Sequence, residues 1–166
     1  EGNLMTKINE KLTYTGADVE AVYGLIADQA FRTESCEHQE STDISVDVSA
    51  SGDGHLVSIT RTQEAAVPDF VKKVTGKTVK VKQTEKWGGP DADGTRTADV
   101  KVSIVGQPAE MNGKATLTNT DDGTLFEVVG DVKVSIPFLG KKIEPEVAKA
   151  IIASLTEEVE YGMTKL

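Results

Sequence analysis

The sequence predicts an α+β protein in which a curved, seven-stranded antiparallel sheet wraps around one long C-terminal helix. Three observations lead there. Between residues 39 and 136, successive segments alternate apolar and polar residues with period two, and short Gly- and Asp-containing turns separate them. One further alternating segment opens the chain and is followed by a helical pattern. From about Lys141 to Leu166, Ile143, Val147, Ile151, Leu155, Val159 and Met163 recur every fourth residue, with Ile152 beside them. That is the apolar stripe of an amphipathic helix. At about 1.5 Å per residue it is roughly 35–40 Å long, enough to cover a whole sheet face.

The elements follow in order. In Thr6–Thr15, Ile8, Leu12 and Tyr14 fall on one face, with Lys7 and Lys11 opposite. Asp18 is placed as an N-cap for a helix carrying Ala21, Val22, Leu25 and Ile26, and a second short helix runs from Asp28 to about Glu37. Ile44, Val46 and Val48 then mark a strand that ends in the turn Ser51-Gly52-Asp53-Gly54, and Val57, Ile59 and Arg61 mark its partner. Pro68 to Lys73 fits one helical turn closed by Gly76. Val79, Val81, Gln83, Glu85 and Trp87 share a face in the next strand. Val100, Val102 and Ile104 follow, then Met111, Gly113, Ala115 and Leu117, then the hairpin signal Asp122-Gly123. Phe126, Val128, Val132, Val134 and Ile136 belong to the last strand, and Pro137 and Gly140 end the sheet region. Pro145 is expected in the first turn of the long helix, where a missing N–H costs least.

Composition limits the functions open to such a domain. Lys and Arg total 18 against 27 Asp and Glu, a net charge of −9, whereas nucleic-acid binding needs a basic face. The same balance argues against adsorption to an anionic membrane, and apolar runs of four or five residues are too short to insert in a bilayer. Cys36 is the one cysteine, which excludes an internal disulfide and a cysteine-rich zinc site. With a lone cysteine and no signal-peptide layout at the N-terminus, the expected location is cytoplasmic. Residues 5–166 are read as a single domain, with Glu1–Leu4 before Met5 as a cloning remnant.

This order of elements resembles the helix-grip fold of the START-like superfamily (Bet v 1-like, polyketide cyclase-like). Val81-Lys82-Gln83-Thr84-Glu85-Lys86-Trp87-Gly88, Asp93-Gly94-Thr95-Arg96-Thr97 and Val132-Lys133-Val134-Ser135-Ile136-Pro137-Phe138-Leu139-Gly140-Lys141-Lys142-Ile143-Glu144 are similar to the DUF2505 family within it. The resemblance covers nearly the whole chain from Met5. It implies a space between sheet and helix suited to an apolar or amphipathic small molecule. It also implies that the two helices from Asp18 to Glu37 close the narrow end, with Tyr23 and Phe31 as gates. It carries no established activity, and no metal or cofactor.

The residues themselves hold few chemical constellations. Metal-protease, hydrolase, phosphate-loop and dithiol motifs are absent. Cys36-x-His38 lacks an orienting third group, and His55, beside a Gly/Asp turn, is expected in solvent. Polar residues on faces that should be apolar are more informative. Period two sends Gln83 and Glu85 inward with Val81 and Trp87, Arg61 inward with Val57 and Ile59, and Glu10 inward between Ile8 and Leu12. A lone buried carboxylate costs several kcal/mol, on the order of what folding can spare, so pairing of Arg61 with Glu85 or Glu10 is expected.

Arg61, Gln83 and Glu85 then become either the polar anchors of an apolar pocket or an internal ion pair supporting the sheet. In the pocket reading Ile143, Val147, Ile151 and Leu155 form the helix wall, and Val81, Met111, Val128 and Val132 the sheet wall. Trp87, Phe126, Tyr23 and Phe31 complete the candidate lining. Small inward residues at Gly113, Ala115 and Gly130 leave room for a guest, or let the helix pack close. Two alternatives stay open. One is a cyclase- or dehydratase-type enzyme in which Glu85 acts as acid/base. The other is a protein-interaction module with an unknown partner, whose docking face is the basic strip Lys72, Lys73, Lys77, Lys80, Lys82 and Lys86.

Overall fold

In the computed structural model, which describes residues 5–166, the chain runs β1 (Thr6–Thr15), α1 (Val19–Ile26), α2 (Gln29–His38), β2 (Thr42–Ser51) and β3 (Gly54–Glu64). It continues through α3 (Asp69–Thr75), β4 (Thr78–Trp87), β5 (Arg96–Ile104), β6 (Ala109–Thr120), β7 (Gly123–Val134) and α4 (Gly140–Met163). The expected remnant, residues 1–4, lies outside the described residues. Local chemistry sets the helix starts. The Asp18 carboxylate accepts the Ala21 N–H at 2.9 Å and the Asp28 carboxylate accepts that of Ala30 at 3.1 Å, satisfying N–H groups that have no helical partner.

All seven strands form one antiparallel sheet in the order β1-β7-β6-β5-β4-β3-β2. β2 to β7 meander across the sheet, joined by tight turns at β2–β3 and β6–β7 and by α3 between β3 and β4, and β1 pairs with β7 at the far edge. The two edge strands are adjacent in sequence, and α1 and α2 carry the chain from one edge to the other. The α3 segment extends the expected single turn to Thr75 and adds a helix between β3 and β4 to the expected order. α4 begins at Gly140, one residue before its expected start, and Pro145 therefore falls in its second turn, removing one N–H from the ladder.

α4 lies against β1 and β7. Its N-terminal part is fixed there by Glu144, 1% exposed, whose carboxylate accepts the Val134 backbone N–H at 2.9 Å and the Thr6 hydroxyl at 3.1 Å. Ile143, Val147 and Val159 are buried on the same face, each contributing about 1.5–3 kcal/mol by leaving water. On the far side of the sheet the inward-facing Val100, Val102 and Ile104 are only half-buried, as are Ile151 and Leu155 on α4. Curvature holds β3–β6 away from the helix there, and the space between remains open.

Gly113 and Gly130 have a structural reason that differs from the expected one. They face each other across β6 and β7. A Cβ on Gly113 would meet the Val129 carbonyl and stand 2.7 Å from Gly130 Cα, and one on Gly130 would lie 2.8 Å from the Asn112 carbonyl oxygen. Their lack of a side chain is used by the neighbouring backbone, so they supply no room for a guest. Ala115, by contrast, does face the open space.

Candidate functional site

The space between α4 and the inner face of β3–β6 is a cavity of about 100 Å³ with a mainly apolar lining. Val81, Val100, Val102, Met111 and Val128 form its sheet wall, and Val147, Ile151 and Leu155 its helix wall. Ala65, Ala66 and Val67, after β3, and Val71 and Thr75 of α3 line the end nearest solvent, where Ala66 is exposed. The other end is polar. Tyr14, Arg32, Arg61, Gln83, Glu85 and Glu158 converge on it from five elements.

Glu85 is the centre of that group. Period two turns it inward, and it sits between Val57 of β3 and Val100 of β5. Its partner is Arg32 of α2, a correction to the expected pairing of Arg61 with Glu85 or Glu10. Arg32 Nη1 donates to Oε1 at 2.9 Å and Nη2 to Oε2 at 2.6 Å, a bidentate fork in which both side chains are nearly inaccessible. Trp87 Nε1 donates to Oε1 at 2.9 Å and Gln83 Nε2 to Oε2 at 2.6 Å. These four donors occupy the lone-pair sites of an ionised carboxylate. Burial pushes the Glu85 carboxyl up, but the charge and hydrogen bonds of Arg32, with those of Trp87 and Gln83, outweigh it and hold the group below its ordinary value. Glu85 therefore stays ionised and has no lone pair left to take a proton from a substrate, as an acid/base role requires.

Arg32 is buried against a second carboxylate, with Nε 3.4 Å from Glu158 Oε1. Burial alone would lower its pKa; Glu158 and Glu85 reverse this and raise it, so the guanidinium is permanently charged. Arg61 instead donates from Nη2 to the Ser154 hydroxyl at 2.8 Å, and its Nη1 lies 3.6 Å from Cys36 Sγ. Glu10 stays half-buried on β1 opposite Val128. Tyr14, 2% exposed, turns its ring toward the cavity and makes no side-chain hydrogen bond to any described residue. Burial and the nearby Glu158 raise its pKa, which keeps the phenol protonated as a donor.

Phe126 also lines the cavity; the other candidates fall elsewhere. Val132 and Ile143, 0% and 1% exposed, are packed where Glu144 draws α4 onto β7, and the sheet–helix gap has already closed there. Tyr23 lies under the Arg96 guanidinium, 3.7 Å from its ring centroid, and its hydroxyl bonds His55 Nδ1 at 2.6 Å. His55 is thus a structural partner and not the solvated side chain expected. Arg96 also pairs with Glu20 at 2.8 Å and donates to the Gly88 carbonyl at 3.0 Å, clamping α1 to the β4–β5 turn. Phe31 stacks on Tyr161 of α4 at 5.9 Å. Neither aromatic reaches the cavity. Cys36 and His38 lie two apart on α2 and point to different sides: Cys36 is buried, with burial raising its thiol pKa, and His38 is exposed against Tyr161. Among the described residues no group of three or more His, Cys, Asp or Glu could hold a metal ion.

A second depression, of about 530 Å³, lies on the outer face of the sheet between Leu56, Ser58, Thr84, Lys86, Asp99 and Lys101. It is a more open surface hollow, bordered by the charged side chains of Lys86, Asp99 and Lys101. The inner cavity is the better binding site on chemistry.

Against known proteins, the DUF2505 family profile, described as proteins of unknown function, matches residues 10–166. The chain belongs to the DUF2505 family. An uncharacterized Mycobacterium tuberculosis H37Rv protein is 26% identical to this DUF2505 chain over 124 residues, covering 74% of the chain and 71% of that protein. Among solved structures, TTHA0849 of Thermus thermophilus superposes with a TM-score of 0.60 at 16% identity, over 96% of this chain and 95% of that one. The ZhuI aromatase/cyclase of Streptomyces sp. R1128 gives 0.60 at 11%, over 97% and 93%. Norcoclaurine synthase from Thalictrum flavum gives 0.54 at 10%, over 98% and 88%. At these identities the likeness shows the helix-grip fold alone. Among the described residues of this DUF2505 protein no helix is long and apolar enough to cross a membrane.

Proposed function

We propose that this protein binds a small, mostly apolar molecule with one polar end between its sheet and α4. The reading is carried by the mainly apolar cavity between sheet and helix, at whose inner end the polar side chains of five elements converge. The Tyr14 phenol and the Gln83 and Arg61 side chains face that end, where they can meet a ligand's polar group. The size of the cavity defines the ligand class. About 100 Å³ is below the roughly 300–1,000 Å³ of sites for drug-sized compounds. A slim chain of acyl or isoprenoid type fits the space, whereas a fused-ring polyketide requires α4 to move away from β3–β6. With Glu85 committed to four donors, the site is suited to holding a guest rather than to proton transfer through that residue.

A fluorescence titration with cis-parinaric acid, a slim unbranched polyene fatty acid used as the dye, tests this. The expected result is saturable one-to-one binding that Ile151→Trp weakens by at least roughly tenfold, since the indole fills the apolar space the dye needs. Val129→Trp, on the outer face, leaves binding unchanged. Equal binding by all three proteins would place the dye elsewhere and count against the cavity.

A further inference from the structure

We propose that the end of the molecule carrying α3, the β5–β6 turn and the β7–α4 loop docks on a lipid bilayer with anionic headgroups. Hydrogen bonds join these three segments into one surface. The Gln107 side chain donates to the Val74 carbonyl at 3.4 Å, Val105 N to the Lys80 carbonyl at 2.8 Å, and Ser135 N to the Pro108 carbonyl at 2.8 Å. Four large apolar side chains project from it: Phe70 is 46%, Val105 49%, Leu139 40% and Phe138 100% exposed. Scattered exposed apolar residues need no explanation, but a cluster of this kind on one end does.

Phe138 adds a second, independent sign. Its φ is +67°, a left-handed conformation that a bulky side chain rarely adopts, and in it the ring packs on nothing. The backbone is held in a costly shape that presents an aromatic ring to solvent, which is explained if the ring has a partner outside the chain. Aromatic side chains favour the headgroup level of a bilayer.

Charge selects the kind of bilayer. Lys72, Lys73, Lys77 and Lys80 surround the apolar tip, and none of them pairs with a carboxylate among the described residues. Lys142 stands in the first turn of α4, where the helix dipole disfavours a cation. The acidic residues on and beside these segments are Glu64, Asp69, Glu110 and Glu146, with Glu144 buried against β7. The net charge of −9 argued against an anionic membrane, but most of that charge lies elsewhere on the molecule. Its repulsion is screened over a Debye length of about 8 Å, while the tip lysines would touch the headgroups. An apolar tip ringed by lysines, raised on three separate turns, suits a deformable interface better than it suits a rigid protein surface. The cavity opens at this same end, beside Ala66 and Val71. The inference rests on residues other than the cavity's polar end, so either can fail alone.

Co-sedimentation with vesicles decides it. The wild type is expected to pellet with phosphatidylcholine vesicles containing phosphatidylglycerol, weakly with phosphatidylcholine alone, and less as salt rises. Phe138→Asp, and separately Lys72→Glu with Lys73→Glu, are each expected to lower binding by roughly tenfold with melting temperature unchanged. Lys86→Glu on the outer sheet face is expected to have no effect. Absence of vesicle binding, equal binding to both vesicle types, or full binding by Phe138→Asp would overturn the proposal. Competition by poly-glutamate that Phe138→Asp leaves intact would overturn it too, assigning the tip to an acidic protein. Loss of vesicle binding with dye binding in the cavity retained would leave the cavity reading standing.

Discussion

Glu85→Gln is expected to destabilise the protein by about 3 kcal/mol, because it breaks one side of a buried ion pair and leaves the Arg32 guanidinium with Glu158, 3.4 Å from its Nε, as its remaining counter-charge. The substitution is nearly isosteric, so the loss is electrostatic. Where the carboxylate accepted four hydrogen bonds, the amide has one accepting oxygen, and its own N–H groups face donors from Arg32, Gln83 or Trp87. For a domain of this length the melting temperature should fall by roughly 6–12 °C. Removing both partners with Arg32→Met and Glu85→Leu should cost less than the sum of the single changes, since neither of the two is left buried without the other. The pH dependence has a definite sign. Glu85 is held below its ordinary value of 4.5 in the fold, so its contribution is complete above that value and is lost as pH falls through the lower, folded value. The gap in stability between wild type and Glu85→Gln should therefore narrow in acid. A gap that stays constant or widens as pH falls would contradict the pairing.

Gly113→Ala is expected to cost about 3 kcal/mol in chemical denaturation, at the upper end for a small added group in a packed region. The new methyl would press on the Val129 carbonyl and Gly130 Cα of the neighbouring strand, which are backbone atoms that cannot rotate away. Dye affinity of the folded fraction should not change, because Gly113 does not line the cavity. If the glycine instead made room for a guest, the substitution would leave stability nearly intact and weaken the dye.

The fold was legible in the sequence because its elements carry strong periods. Strands with one buried face alternate strictly, and α4 carries an unbroken stripe from Ile143 to Met163. The inward orientation of Gln83 and Glu85 followed from the same period. Arg32 was not legible as their partner. It lies in a short helix of low apolar content, 53 positions from Glu85, where an arginine reads as a surface residue. A buried carboxylate demands a cation, but which one depends on how α2 folds across the sheet end. Tyr14 was visible as an inward residue of β1, yet its place at the polar end of the cavity depends on the course of α4. Val132 and Ile143 share their faces with the residues that do line the cavity. Nothing in the period says where along a face the gap between sheet and helix closes, because Glu144 and its bond to Val134 fix that point.

Methyl-resolved NMR of protein labelled at Ile, Leu and Val, titrated with decanoic acid, distinguishes the inner cavity from the depression on the outer face as the place of an apolar guest with one polar end. Binding in the inner cavity shifts Val100, Val102, Val128, Val147, Ile151 and Leu155 and leaves Leu56 and Val129 unmoved. Shifts centred on Leu56 and Val129, or no shifts up to the solubility limit of the acid, would contradict it.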